Sequence, residues 1–263
     1  MYKDIRPSGE CMTSEHQMKN LKMVLEYDGA AYYGWQRQAG VRTIQETVED
    51  RILLMTRERV TLIGSGRTDA GVHALRQVAN FRTSTRLSEG SLLRGLNSLL
   101  PRDVAVKEIT EVNEEFHSQY DAKSKVYEYR IFNSPNRTAL WRNYCWHVYG
   151  QLDLEAMKKA AGMLPGRRDF SSFCASGHES KSMVREIFDC RLDSDGKEMV
   201  VFSVEADGFL KYMVRNIVGT IVDVGRSKLS PEGFRRVMEA KDRRKAGPTA
   251  PANGLFLVGV KYA

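Results

Sequence analysis

The stretch LKMVLEYDGAAYYGWQRQAGVRTIQETVEDRILLMTRERVTLIG (21–64) decides the fold. LKMVLEY (21–27) reads as a strand. Thr43 then caps a helix to about residue 56, with Ile44, Val48 and Leu53 among its apolar positions and Glu46 three residues on in a capping-box pattern. VTLIG (60–64) reads as a second, short strand. Outward from this β-α-β core, QVANFRT (77–83) predicts a strand, residues 88–99 a helix and VAVKEIT (104–110) a further strand. The order β-α-β-β-α-β is a split βαβ, ferredoxin-like unit, which puts two helices on one face of an antiparallel sheet and leaves the other face free. On a basic protein, a free face is a natural RNA platform.

The rest of the chain repeats this theme loosely. Strands are expected at KVYEYRIF (125–132) and YCWHVY (144–149), and a helix from about 153 to 163. A hairpin of REIFDCRLD (185–193) and MVVFSVE (199–205) turns at Asp195-Gly196. Helices over about 208–225 and 231–241 and a last strand LFLVGVKY (255–262) follow. The expected fold class is α+β, with two ferredoxin-like (RRM-like) halves: a flexible leader over 1–18, an N-terminal domain over 19–117 and a C-terminal domain over 118–263. No sequence repeat links the halves, so only element order suggests duplication. Met18 is a candidate natural start.

Composition narrows the function classes. The 263 residues carry 40 Lys+Arg against 33 Asp+Glu, a net charge of +7, which favours a polyanionic partner. At 42% hydrophobic and 28% charged the chain is neither disordered nor collagen-like. No apolar run approaches the roughly 18 residues a membrane span needs. Cys11, Cys145, Cys174 and Cys190 are irregularly spaced, and the five histidines form no ligand spacing, so neither a disulfide framework nor a metal site is expected. The polar N-terminus lacks the apolar core of a secretory signal, and a cytoplasmic location is expected.

GSGRTDAGVHA (64–74), between the second and third strands, is the most unusual segment. Its glycines allow tight turns that present a carboxylate, Asp69, at the rim of a cleft. It is no phosphate-binding loop: the Walker pattern is absent, and Asp69 falls where G-x-G-x-x-G requires its third glycine. The bland alternative is an Asx-turn in which Asp69 caps its own backbone. Arg215 lies about 100° from Val214, at the edge of an apolar helical stripe, and either pairs with a carboxylate or snorkels to solvent. Tyr127 and Tyr129 share one strand face, as a core ladder or as a ring platform. Leu255 reads as simple strand packing.

GSGRTDAGVHA resembles the active-site loop of the TruA-type tRNA pseudouridine synthases. So do YDGAAYYGWQRQ (27–38), KVYEYRI (125–131), DFSSFC (169–174), GFLKYMVRNIVGTIVDVG (208–225) and AGPTAPANGLFLVGV (246–260), in family order. The resemblance implies isomerisation of uridine to pseudouridine at tRNA positions 38, 39 and 40, on the 3′ side of the anticodon arm, by a homodimer without a cofactor. Asp69 falls on the family's nucleophile and Arg215 on its active-site arginine, with the guanidinium expected to lower the Asp69 pKa. Tyr127 falls on the tyrosine that stacks on the target uracil, Leu255 on the apolar residue below the ring, and Arg67 on a residue associated with base flipping or RNA contact. The halves are then expected to join across a basic cleft. Attack on ribose, attack on uracil and a glycal route all stay open. Two rivals are a non-catalytic RNA-binding module, which lacks the RNP1 pattern here, and a glycosidase-like hydrolase, for which no second motif-borne carboxylate is present.

Overall fold

A computed structural model describes residues 18–175 and 182–263. The leader expected over 1–18 lies outside the described residues apart from Met18. The first half runs β1 (Lys19–Tyr27), α1 (Ile44–Thr56), β2 (Ile63–Gly64), β3 (His73–Thr83), α2 (Glu89–Leu99) and β4 (Val104–Val112). The second runs β5 (Ser124–Asn133), β6 (Trp146–Val148), α3 (Leu154–Ala161), β7 (Gly166–Asp169), β8 (Val184–Ser194), β9 (Met199–Ala206), α4 (Met213–Gly225), α5 (Pro231–Ala240) and β10 (Leu255–Lys261). The architecture is mixed α/β, one large and mostly antiparallel sheet with five α-helices among the described residues. None of the helices described is long and apolar enough to cross a membrane.

Strand order is β4-β1-β3-β10-β5-β9-β8-β7, with β2 paired to β3 and β6 to β5. Two pairings are parallel, β5 with β6 and β3 with β10. The β3–β10 seam has two residue pairs, Phe256 opposite His73 and Leu257 opposite Ala74. Across it His73 stacks on Phe256 with ring centroids 4.7 Å apart.

Local chemistry explains the elements. Leu21, Met23, Leu25 and Tyr27 alternate inward along β1 and meet Ile44, Val48 and Ile52 of α1 and Leu92 and Leu96 of α2 in one core. The Thr43 hydroxyl accepts the Glu46 N–H at 3.4 Å, and Ser88 caps α2 in the same way. The expected strand over 60–64 shrinks to Ile63–Gly64 because side chains of α1 capture the backbone before it. Leu62 N–H donates to Glu49 at 2.8 Å, and its carbonyl accepts from Gln45 at 3.2 Å. Those groups are satisfied without a ladder.

Two further expectations are corrected. The second long helix starts at Met213 rather than near 208, because Tyr212 adopts a left-handed conformation (φ 61°) and closes the preceding turn. The helix is also buried on nearly all sides instead of along one stripe. Gln45 of α1, Tyr127 of β5 and the start of α4 line one cleft. The sheet face away from α1 and α2 carries exposed ion pairs such as Lys107–Glu26 and Arg76–Glu108.

Candidate active site

The loop carrying Asp69 is the connection from β2 to β3, and it is fixed from both sides. Ser65 Oγ donates to Gln77 Oε1 at 2.7 Å, and Gln77 Nε2 donates to the Gly66 carbonyl at 2.9 Å, so a fully buried β3 side chain grips the loop's start. Tyr27 at the end of β1 shares a 2.8 Å hydrogen bond with the Thr68 hydroxyl. From the segment after β1, Trp35 N–H donates to the Thr68 carbonyl at 3.1 Å, and Gly71 N–H donates to Tyr32. Gly34 sits at φ +86°, and a Cβ there would lie 2.4 Å from the Thr68 carbonyl oxygen. Only glycine allows this approach.

Asp69 and Arg215 meet as the sequence suggests. Arg215 Nη1 lies 3.4 Å from Asp69 Oδ2, with side chains 15% and 30% exposed. Arg215 is itself aimed: its Nε donates to the Ala250 carbonyl at 2.8 Å, and its guanidinium lies 4.8 Å from the Tyr212 ring centroid. Among the described residues no backbone N–H reaches the Asp69 carboxylate, so it caps no turn of its own. Arg215 is not snorkelled to solvent.

Arg215 acts on the Asp69 pKa in the expected direction, but it does not decide the net shift. Burial raises the pKa above the ordinary carboxylate value, and this outweighs the lowering by the Arg215 charge and hydrogen bond and by the Lys211 charge. Desolvation by the surrounding fold is invisible in the local sequence. Tyr127, buried and 5.0 Å from the Phe209 ring in an edge-on contact, has its hydroxyl pKa pushed up by burial, with Tyr27 and Asp69 adding to it.

These groups line one cleft of about 950 Å³, within the size range of small-molecule sites. Asp69, Arg215, Tyr127, Leu255 and Arg67 all border it. Leu255 is buried at the start of β10, paired with Tyr129, so strand packing and cleft lining are both true of it. Arg67 is exposed at the rim and makes no hydrogen bond or ion pair among the described residues. Tyr129, on the same strand face, shares the core with Tyr127 but does not line the cleft, and its hydroxyl donates to the Pro251 carbonyl at 2.7 Å. The charged lining is Arg67, Lys125, Lys211 and Arg215 against Asp69, so the cleft is basic.

Three cleft residues escape sequence reasoning. Lys211 and Phe209 are hidden by the expected helix over 208–225, although the aromatic-rich GFLKY is an unusual helix start. Lys125 heads the KVYEY strand on the same face as Tyr127, a signal that alternation carried. From the basic run at 235–245, Arg243 is structural, donating to Asn216, Thr249 and the Ala246 and Gly247 carbonyls. No group of three or more His, Cys, Asp or Glu side chains suited to a metal ion occurs among the described residues.

The family model described as tRNA pseudouridine synthase matches residues 23–121 and 160–263. A protein of Caldicellulosiruptor saccharolyticus named tRNA pseudouridine synthase A is 45% identical over 245 residues, covering 93% of this chain and all of the relative. Its namesake in Acetivibrio thermocellus is 46% identical with the same coverage, and that of Pelobacter propionicus 45%. With a carboxylate, its arginine and an aromatic wall in one basic cleft, and with full-length relatives at this identity, the chain belongs to the tRNA pseudouridine synthase family and is an isomerase.

Proposed function

We propose that this enzyme isomerises uridine to pseudouridine at positions 38, 39 and 40 in the anticodon arm of tRNA, with Asp69 as the nucleophile. The observation that carries this reading is the Asp69–Arg215 pair at 3.4 Å, in the same cleft as Tyr127 and Leu255. The bond between ribose C1′ and uracil N1 breaks, the base rotates, and C1′ joins C5. The C5 proton leaves and N1 gains one, so the change is redox-neutral. A carboxylate sheltered from water meets the need for a covalent or ion-pair partner while the base turns. Tyr127 and Leu255 supply an aromatic and an apolar wall for a base that has left its stack. Arg67, exposed and unpaired at the rim, suits the gap left by the flipped nucleotide or a neighbouring phosphate.

The sheet order supports two ferredoxin-like halves, 19–117 and 118–263. β4-β1-β3-β2 in the first is matched by β10-β5-β9-β8 in the second, the halves meeting at the β3–β10 seam. Reading adjacent uridines calls for recognition of tRNA shape by backbone contacts, which a basic cleft suits. The working enzyme is read as a cytoplasmic homodimer, and exposed Leu140 and Trp141 offer an apolar surface that a second copy would cover.

The decisive experiment uses tRNA transcripts carrying tritium at C5 of uridine. Wild type should release tritium and leave pseudouridine in the anticodon arm, and Asp69→Asn should bind the same tRNA without release. Release by Asp69→Asn at the wild-type rate removes the nucleophile from the mechanism.

A further inference from the structure

Three shielded arginines each have partners. Arg215 has Asp69 and Ala250, Arg130 lies against Glu128 and over the Phe256 ring, and Arg243 has four acceptors. Lys125 is half-buried in the cleft wall and makes no hydrogen bond or ion pair among the described residues. Holding an ammonium partly out of water with no carboxylate in contact is costly. Burial and the nearby Arg185 charge push its pKa down, with Asp207 opposing them. An anion in the cleft would favour the charged form.

Position narrows what that anion is. Lys125 is two residues before Tyr127 on β5, so both side chains stand on one face, about 7 Å apart along the strand. That spacing is comparable to the distance from a nucleobase to its own phosphate. The Lys125 stem lies across Gly66, its Cε 3.4 Å from where a Cβ on that glycine would sit, beside exposed Arg67. Arg215 and Lys211 are the cations that act on Asp69, and Lys125 is not among them. It therefore stands apart from the reacting carboxylate while facing the same space.

We propose that Lys125 binds a backbone phosphate next to the target nucleotide and so positions the uridine against the Tyr127 ring. This rests on the tRNA reading above. Lys125 is a positioning residue, holding the strand rather than the reacting atoms.

The test is a coupling measurement on full-length tRNA assembled by ligation, carrying an uncharged methylphosphonate at one linkage at a time around the target uridine. Wild type should lose roughly tenfold in affinity at one linkage, and Lys125→Met should lose a similar factor on unmodified tRNA. At that linkage the two losses should not multiply, and the salt slope of Lys125→Met binding should be shallower by about 0.7–0.9. Lys125→Arg should restore sensitivity at the same linkage. Losses that multiply at every linkage overturn the proposal. A lowered melting temperature with unchanged linkage sensitivity also overturns it, since that outcome makes Lys125 a brace for the Gly66 turn. If wild type releases tritium but shows no coupling, the Lys125 proposal alone fails. If wild type neither binds tRNA nor releases tritium, both readings fail together.

Discussion

Gln77 does not itself line the cleft, yet its replacement should disable the enzyme. In Gln77→Met the side chain keeps its length and approximate volume but loses both ends of its grip, the acceptor for Ser65 Oγ at 2.7 Å and the donor to the Gly66 carbonyl at 2.9 Å. Two such bonds contribute about 1 kcal/mol each, and the Ser65 hydroxyl, in a fully buried residue, is left unpaired at a further cost of about 1–3 kcal/mol. The sum is a destabilisation of about 3–5 kcal/mol. At about 2–4 °C per kcal/mol for a chain of this size, melting should fall by on the order of 10 °C. Well below that temperature the loop would still form but hold Asp69 less firmly against Arg215. Since a displacement of about 1 Å at a reacting group costs roughly 100-fold, kcat in the tritium-release assay should drop by about 10- to 100-fold. Affinity for tRNA should stay near wild type, because no basic cleft residue has changed. A Gln77→Met protein that melts within about 2 °C of wild type and turns over normally would refute the claim that this side chain fixes the loop.

Other outcomes follow from the same geometry. Asp69→Asn should melt no lower than wild type at neutral pH. Burial raises the Asp69 pKa in the fold, so the ionised carboxylate costs stability above that pKa, and the variant's advantage should vanish as pH falls through it; a melting series across pH checks this, and a neutral-pH loss of stability contradicts it. In Arg215→Met, burial of Asp69 is opposed by Lys211 alone. The acid limb of the pH profile of kcat/KM should therefore move to higher pH, and an unmoved limb removes Arg215 from control of Asp69. Gly34→Ala forces a Cβ to 2.4 Å from the Thr68 carbonyl at φ +86°, and should cost about 2–3 kcal/mol together with most of the turnover. Denaturant unfolding and tritium release test both parts.

Most of the element order was legible because it rests on periodicity and turn residues, and the Asp69 loop because its composition is unusual; the short β7 (Gly166–Asp169) gave no such signal, and the Asp69–Arg215 pairing came from the family resemblance. What escaped depends on neighbours distant in the chain. VTL (60–62) has strand composition, but its backbone is claimed by Glu49 and Gln45 from α1. GFLKY (208–212) joins smoothly to a helical pattern, and only the left-handed Tyr212 reveals that it is a separate turn lining the cleft. Resemblance indicated that Asp69 and an arginine work together, yet the balance between guanidinium and desolvation is set by residues from several strands.

The seam between β3 and β10 is only two residue pairs long, and it divides the working parts. Asp69 and Arg67 precede it on one side, while Tyr127, Arg215 and Leu255 belong to the other. Asp69 and Arg215 thus come together across this joint, and a change of twist there would alter the 3.4 Å separation between carboxylate and guanidinium. A substitution at His73 or Phe256, whose rings stack across the seam, should therefore alter the alignment of Asp69 with Arg215.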